Sequence, residues 1–174
     1  MNIILFGFRK CGKTYFGMKL AQKLHKEFIE SDHLLEEMYT AHYHQTLSYR
    51  EIAKKHGFEF FRALEKHVVS LLLQKNNYVL SLGGGVILDP ENVSRLRQVG
   101  ILIYLKAPEA LLKSKILSGD IPHYFDQEHP GESFDCFYKD REPVYAAAAT
   151  HQINTENKTE AEILQEICQL VKIK

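Results

Sequence analysis

Gly7, Gly12, Lys13 and Thr14 stand at the spacing G-x-x-x-x-G-K-[ST], the pattern of a backbone loop that cradles phosphate groups. In such a loop, successive N–H groups and the N-terminus of the following helix form a concave set of donors. The glycines let the chain turn and approach a ligand with no Cβ in the way. Lys13 then reaches β- and γ-phosphates, and the Thr14 hydroxyl suits Mg²⁺. A Gly-containing turn with no ligand would leave Gly-Lys-Thr without a use. Further along, Glu30-Ser31-Asp32 and Gly83-Gly84-Gly85 each follow a short apolar run. Carboxylates suit a hydroxyl that must lose a proton, and glycines suit close backbone approach.

The elements that position these residues follow from hydrophobic periodicity. Asn2–Phe6, Glu27–Glu30, Tyr78–Leu82, Gly100–Leu105 and Thr150–Asn154 read as strands. Helical spacing marks Thr14–Leu24, a helix from His33 capped by Ser31 or Asp32, Thr46–His56 with Ser48 and Glu51 as a capping box, and Phe58–Gln74. Asp89-Pro90-Glu91 opens another helix. Pro108–Leu117, Phe134–Ala149 (broken near Pro143) and Thr159–Val171 complete the set. Strands apolar on both faces, alternating with helices, imply an α/β domain with a parallel sheet. In such sheets ligands gather beyond the C-terminal strand ends, where the phosphate loop, Asp32 and the triple glycine all fall. Ser118–Ser133 is polar, aperiodic and long for a connection, the mark of a functional or mobile loop.

Composition sets limits. The 174 residues suit one domain, 1–174, with a real core. The chain is 45% hydrophobic and 25% charged, with net charge zero, so bulk electrostatics support neither nucleic acid nor an anionic membrane as partner. The start, MNIILFGFRK, lacks a basic n-region and a cleavage site and reads as a first strand. Cys11, Cys136 and Cys168 are odd in number and far apart, which favours a reducing cytoplasm over disulfides or zinc. His42 and His44 would share one face of a strand, but no third ligand is near, and they read as a surface pair.

The ordered set Gly7…Gly12-Lys13-Thr14, Ser31-Asp32, Phe61-Arg62-Ala63-Leu64-Glu65, Val79-Leu80-Ser81-Leu82-Gly83-Gly84-Gly85 and Arg141-Glu142-Pro143-Val144-Tyr145 resembles shikimate kinase. The resemblance spans nearly the whole chain. It implies a three-layer P-loop kinase fold: a central five-stranded parallel sheet, helices on both faces and a mobile lid at about 118–133. It implies transfer of the γ-phosphate of ATP to the 3-hydroxyl of shikimate, with one Mg²⁺, in the pathway to chorismate and aromatic amino acids. By position, Asp32 would contact shikimate hydroxyls as base or orienting group, with Lys13 as the other catalytic residue. Arg62 and Arg141 would clamp the substrate carboxylate, an anion suited to a guanidinium fork, and Gly84 would present backbone to the substrate. Lys10, Cys11, Gly12, Lys13, Thr14 and Tyr15 would wrap the nucleotide phosphates. Thr14 would hold the metal, aided through water by Glu30 and Ser81. Asn154–Lys158 would border the adenine. The expected partners are these two small molecules, acting on a cytoplasmic monomer.

Three positions depart from the family pattern. Lys10 stands where Gly is usual, and Glu30 replaces the first Asp of Asp-x-Asp. Ile121 stands where the lid carries an Arg that meets the phosphates. Lys10, Lys113, Lys115, His123 and Lys139 are the candidate replacements. Alone, Arg62 would read as a solvated charge and Asp32 as a helix cap; the surrounding motifs argue for function. Two other readings stay open: a gluconate or other small-molecule kinase, and a weakly catalytic nucleotide- or shikimate-binding protein, given the missing lid Arg.

Overall fold

Aliphatic runs with no polar face build the sheet on which the site rests. In the computed structural model, which describes residues 1–172, five strands form one parallel sheet in the order β2-β3-β1-β4-β5. They are β1 (Asn2–Phe6), β2 (Glu27–Glu30), β3 (Tyr78–Ser81), β4 (Gly100–Lys106) and β5 (His151–Asn154). Every residue of β1 and β3 is buried, so the centre of the sheet is covered on both faces. The helices are α1 (Lys13–Leu24), α2 (Ser31–Tyr43), α3 (Tyr49–His56), α4 (Phe58–Leu72), α5 (Pro90–Val99), α6 (Glu109–Leu117), α7 (Pro130–Ala148) and α8 (Glu160–Lys172). The α/β architecture read from the strand pattern is the one present. Among the described residues, no helix is long and apolar enough to cross a membrane.

Local chemistry explains most element ends. Ser48 and Glu51 form the expected capping box on α3, and Asp89 accepts from the Glu91 N–H with Pro90 in the first turn of α5. α1 ends on His25 in the left-handed conformation, its N–H returning to Ala21 and Gln22 carbonyls.

Four expectations are corrected. α2 begins at Ser31, directly after β2, with Glu30 at the cap position and no side-chain cap bond. Ser31 is buried, and its hydroxyl accepts from the Gly83 N–H at 2.7 Å; tying two strand ends together takes precedence over capping. α7 starts at Pro130 rather than Phe134, so only Ser118–His129 lacks regular helix. Pro143 lies within α7 without ending it. Its missing N–H and ring clash cost roughly 3 kcal/mol, and burial of Phe134, Tyr145 and Ala148 on the same helix offsets that. His42 and His44 are exposed at the C-terminal end of α2, not on a strand.

Strand register then fixes what meets at the carboxyl edge. β1 lies between β3 and β4, so the chain leaves the sheet in opposite directions beside it, the switch point where ligands bind. Leu5 pairs with Ser81, and Glu30 pairs with Ser81 from the other side.

Candidate active site

The loop after β1 has the backbone its sequence demands. Gly7 (φ 148°) and Gly12 (φ 101°) lie in the region that favours glycine. A Cβ on Gly7 would stand 2.7 Å from the Leu105 carbonyl oxygen. Lys13 folds over the loop, its Nζ donating to the Gly7 carbonyl at 3.1 Å and the Phe8 carbonyl at 2.9 Å. Lys10 has φ 70°, the strained conformation that a departure from glycine entails. Relief of about 1–2 kcal/mol of strain exceeds the roughly 0.5–1 kcal/mol that a glycine costs in chain entropy. Lys10→Gly is therefore expected to raise the melting temperature by about 2–4 °C per kcal/mol regained. An unchanged or lower midpoint in thermal denaturation would show that the Lys10 side chain more than offsets its backbone.

Beside the loop, three oxygen donors converge because of the register. The Thr14 hydroxyl donates to Glu30 Oε1 at 2.5 Å and lies 3.4 Å from the Ser81 hydroxyl. Hard oxygen donors of this kind, few and next to a phosphate loop, suit Mg²⁺, which keeps several waters and phosphate oxygens in its shell.

Asp32 follows in the first turn of α2. Burial, the main cause, pushes its carboxyl above the ordinary aspartate range, against the pull of Lys13. Gly83 makes room for it: a Cβ there would stand 2.6 Å from Asp32 Oδ1.

Arg62 and Glu65 stand one turn apart on α4 as an ion pair. Glu65 is buried, and desolvation pushes its carboxyl up while Arg62 pulls it down. The Arg62 guanidinium packs over the Phe58 ring at 4.3 Å. The tip of the Arg62 side chain fills the space a Gly85 Cβ would take, so a larger residue there would push the guanidinium aside. On α7, the Arg141 guanidinium stacks on Phe137 at 3.9 Å. One turn on, the Tyr145 hydroxyl donates to the Gly84 carbonyl at 2.7 Å, and burial pushes its phenol up against the pull of Arg141. Tyr145 thereby stays a donor and fixes the glycine turn.

These groups line one cavity of about 870 Å³, near the upper end for small-molecule sites. Lys10, Gly12, Lys13, Thr14 and Tyr15 form one end, and Arg62, Gly84, Arg141 and Tyr145 contribute to the rest, with Asp32 among them. Cys11 is buried beneath the loop and does not line the cavity. Asn154–Lys158 lie outside it, with Lys158 paired to Glu166. Of the proposed replacements for a lid arginine, Lys10 and His123 line the cavity; Lys113 instead pairs with Asp135 at 2.6 Å, and Lys115 and Lys139 do not line it.

Arg9 and Arg50 line the cavity too, and sequence reasoning passed over both. Arg9 stands inside the phosphate motif, a signal that was available. Arg50 sits in a helix legible only through its cap.

Comparison with known proteins agrees on one family. A family model described as Shikimate kinase matches residues 9–172. A shikimate kinase of Caldanaerobacter subterraneus subsp. tengcongensis is 39% identical over 167 residues, covering 95% of this chain and 93% of the relative. That of Thermoanaerobacter pseudethanolicus is 33% identical, again over 95% and 93%. The structure of shikimate kinase from Acinetobacter baumannii in complex with shikimate matches with a TM-score of 0.86 at 31% identity, covering 99% of this chain and 95% of that one.

Proposed function

The chain belongs to the shikimate kinase family, and we propose that it transfers the γ-phosphate of ATP to the 3-hydroxyl of shikimate, giving shikimate 3-phosphate and ADP. One observation carries this reading: a single cavity is lined at once by Lys13, Asp32, Arg62 and Arg141.

The roles follow from the chemistry of each group. The phosphate loop, residues 10–15, receives the nucleotide phosphates, and Lys13 exchanges its two carbonyl partners for phosphate oxygens. Arg62 and Arg141 grip the carboxylate of shikimate, and the Gly84 backbone, fixed by Tyr145, supports its ring. Asp32 accepts the proton of the reacting hydroxyl. The hydroxyl oxygen forms a bond to the γ-phosphorus, and the bond from that phosphorus to the bridging oxygen breaks, ADP leaving with the electron pair. Such a transfer needs mainly positioning and neutralised charge. Thr14, with Glu30 and Ser81 behind it, would hold Mg²⁺, which when bound neutralises phosphate charge. We read the protein as a cytoplasmic monomer; its three cysteines are all free, as suits a reducing compartment. Residues 118–129 serve as the lid.

A coupled ADP-release assay against shikimate, gluconate and AMP tests the reading. Turnover on shikimate alone is the expected result; turnover on another acceptor instead would overturn it. A weakly catalytic binding protein is the second reading, favoured by the absence of any Lys or Arg in 118–129. Binding of ATP and shikimate without ADP release would support it.

A further inference from the structure

A phosphoryl group in transfer spreads negative charge over its oxygens, and fixed cations are what stabilise it. The 118–129 segment covers part of the cavity with Asp120, Ile121, Pro122 and His123. It brings no Lys or Arg, and it does bring an acid. Two guanidiniums meet that acid at one oxygen. Arg50 of α3 ion-pairs with Asp120 Oδ2, and Arg9 of the phosphate loop lies 3.8 Å from the same atom. Arg50 is aimed further by Tyr49, whose hydroxyl accepts from its Nε at 3.1 Å.

The pairing is poorly explained as a stabilising contact. The side chains of Arg9, Arg50 and Asp120 remain 30%, 40% and 65% exposed, and ion pairs that wet contribute little. Arg50 also stands in the first turn of α3, where the helix dipole disfavours a cation. Yet three segments distant in sequence converge here, at the wall of the cavity that Lys10 and Lys13 also line. A carboxylate oxygen shared by two guanidiniums occupies the kind of place a phosphate oxygen takes.

We propose that Arg50, with Arg9 beside it, supplies the cation that meets the transferring phosphoryl group, and that Asp120 is the positioning residue that gathers both guanidiniums when the 118–129 segment lies over the cavity. The inference rests on the phosphoryl-transfer reading and deepens it: the charge comes from α3 and the phosphate loop, not from the covering segment. Phosphate oxygens, carrying more charge than one carboxylate, take over the guanidinium forks as ATP enters. Arg50 stays protonated throughout, and the bonds made and broken are those given above.

Steady-state kinetics on the full chain test this with Arg50→Ala, Arg50→Lys and Asp120→Asn. Arg50→Ala is expected to lower kcat on the order of 10²-fold, with KM for shikimate within about threefold and an unchanged thermal midpoint. Arg50→Lys recovers part of the loss, since it keeps charge without the fork. Asp120→Asn costs less, roughly three- to tenfold in kcat, as a misplaced donor does. A kcat for Arg50→Ala within twofold of wild type overturns the inference. Failure of the underlying reading is distinct: wild-type protein would release no ADP with shikimate.

Discussion

Asp32→Asn is expected to abolish most turnover and, in the same protein, to raise thermal stability. The loss follows from the base role proposed for it in the cavity that Lys13, Arg62 and Arg141 also line. A general base of this kind contributes roughly 10²–10⁴-fold in rate, and asparagine keeps the shape but accepts no proton. KM for shikimate should therefore stay within about threefold, because the carboxylate grip proposed for Arg62 and Arg141 is untouched. The gain in stability follows from burial, which raises the Asp32 carboxyl above its usual range. A carboxyl whose folded value is raised favours the fold when protonated. That contribution is present at low pH and is lost as pH rises through the folded value. At neutral pH the wild type must hold an ionised Asp32 against desolvation, and the variant does not. Lys13 loses the attraction of the Asp32 charge, a smaller effect than desolvation, and keeps the Gly7 and Phe8 carbonyls as acceptors. The midpoint should rise by about 2–4 °C per kcal/mol recovered, and the difference should vanish below the ordinary carboxylate range. Melting curves at neutral and acid pH, run beside kcat, check both halves. A variant as active as wild type would remove Asp32 from the base role. A variant less stable than wild type at neutral pH would show that Lys13 outweighs desolvation.

The residues that failed to declare themselves in the sequence share one property: their partners are far away in it. The strands were legible because a parallel sheet covered on both faces needs runs such as Ile3-Ile4-Leu5-Phe6 and Tyr78-Val79-Leu80. The α3 cap and the Asp89–Pro90 start were legible because their chemistry is complete within four residues. The strain at Lys10 was legible as a departure from glycine in a loop that needs positive φ. Ser31 looked like a cap because only its neighbours were in view, and its bond is to Gly83, 52 residues on. Pro143 looked like a break because propensity is local, whereas Tyr145 and Ala148 anchor the helix beyond it from the core. The Arg50–Asp120 pair spans 70 residues and leaves no periodic trace. Within the site, the groups proposed to bind phosphate carry a fixed spacing. Those that tune the mouth of the cavity are placed by the fold.

Arg62→Ala should separate binding from stability, because this arginine pairs with buried Glu65 and is also the group proposed to hold the substrate carboxylate. Loss of a charge-assisted fork on the substrate carboxylate, worth roughly 1.5–3 kcal/mol, raises KM for shikimate about 10- to 100-fold. The remaining Arg141 accounts for residual affinity. In the fold, the same change leaves Glu65 buried without its ion-pair partner, with only the weaker pull of Arg141 on its charge. Stripping one partner from a buried pair costs about 3–5 kcal/mol, and the lower end applies because the Arg62 side chain is still 24% exposed. About 3 kcal/mol corresponds to a midpoint lower by about 6–12 °C. Without Arg62, the Glu65 carboxyl, already raised by desolvation, rises further. The penalty therefore shrinks as pH falls and Glu65 protonates. Arg62→Met/Glu65→Gln tests this directly: it removes the stranded charge and fills the space over Phe58, so the midpoint returns while KM stays high. A double variant that regained shikimate affinity along with its midpoint would show that Arg62 holds the helix and not the substrate. A single variant with unchanged KM would say the same of the carboxylate grip, and would leave Arg141 as the group that binds it.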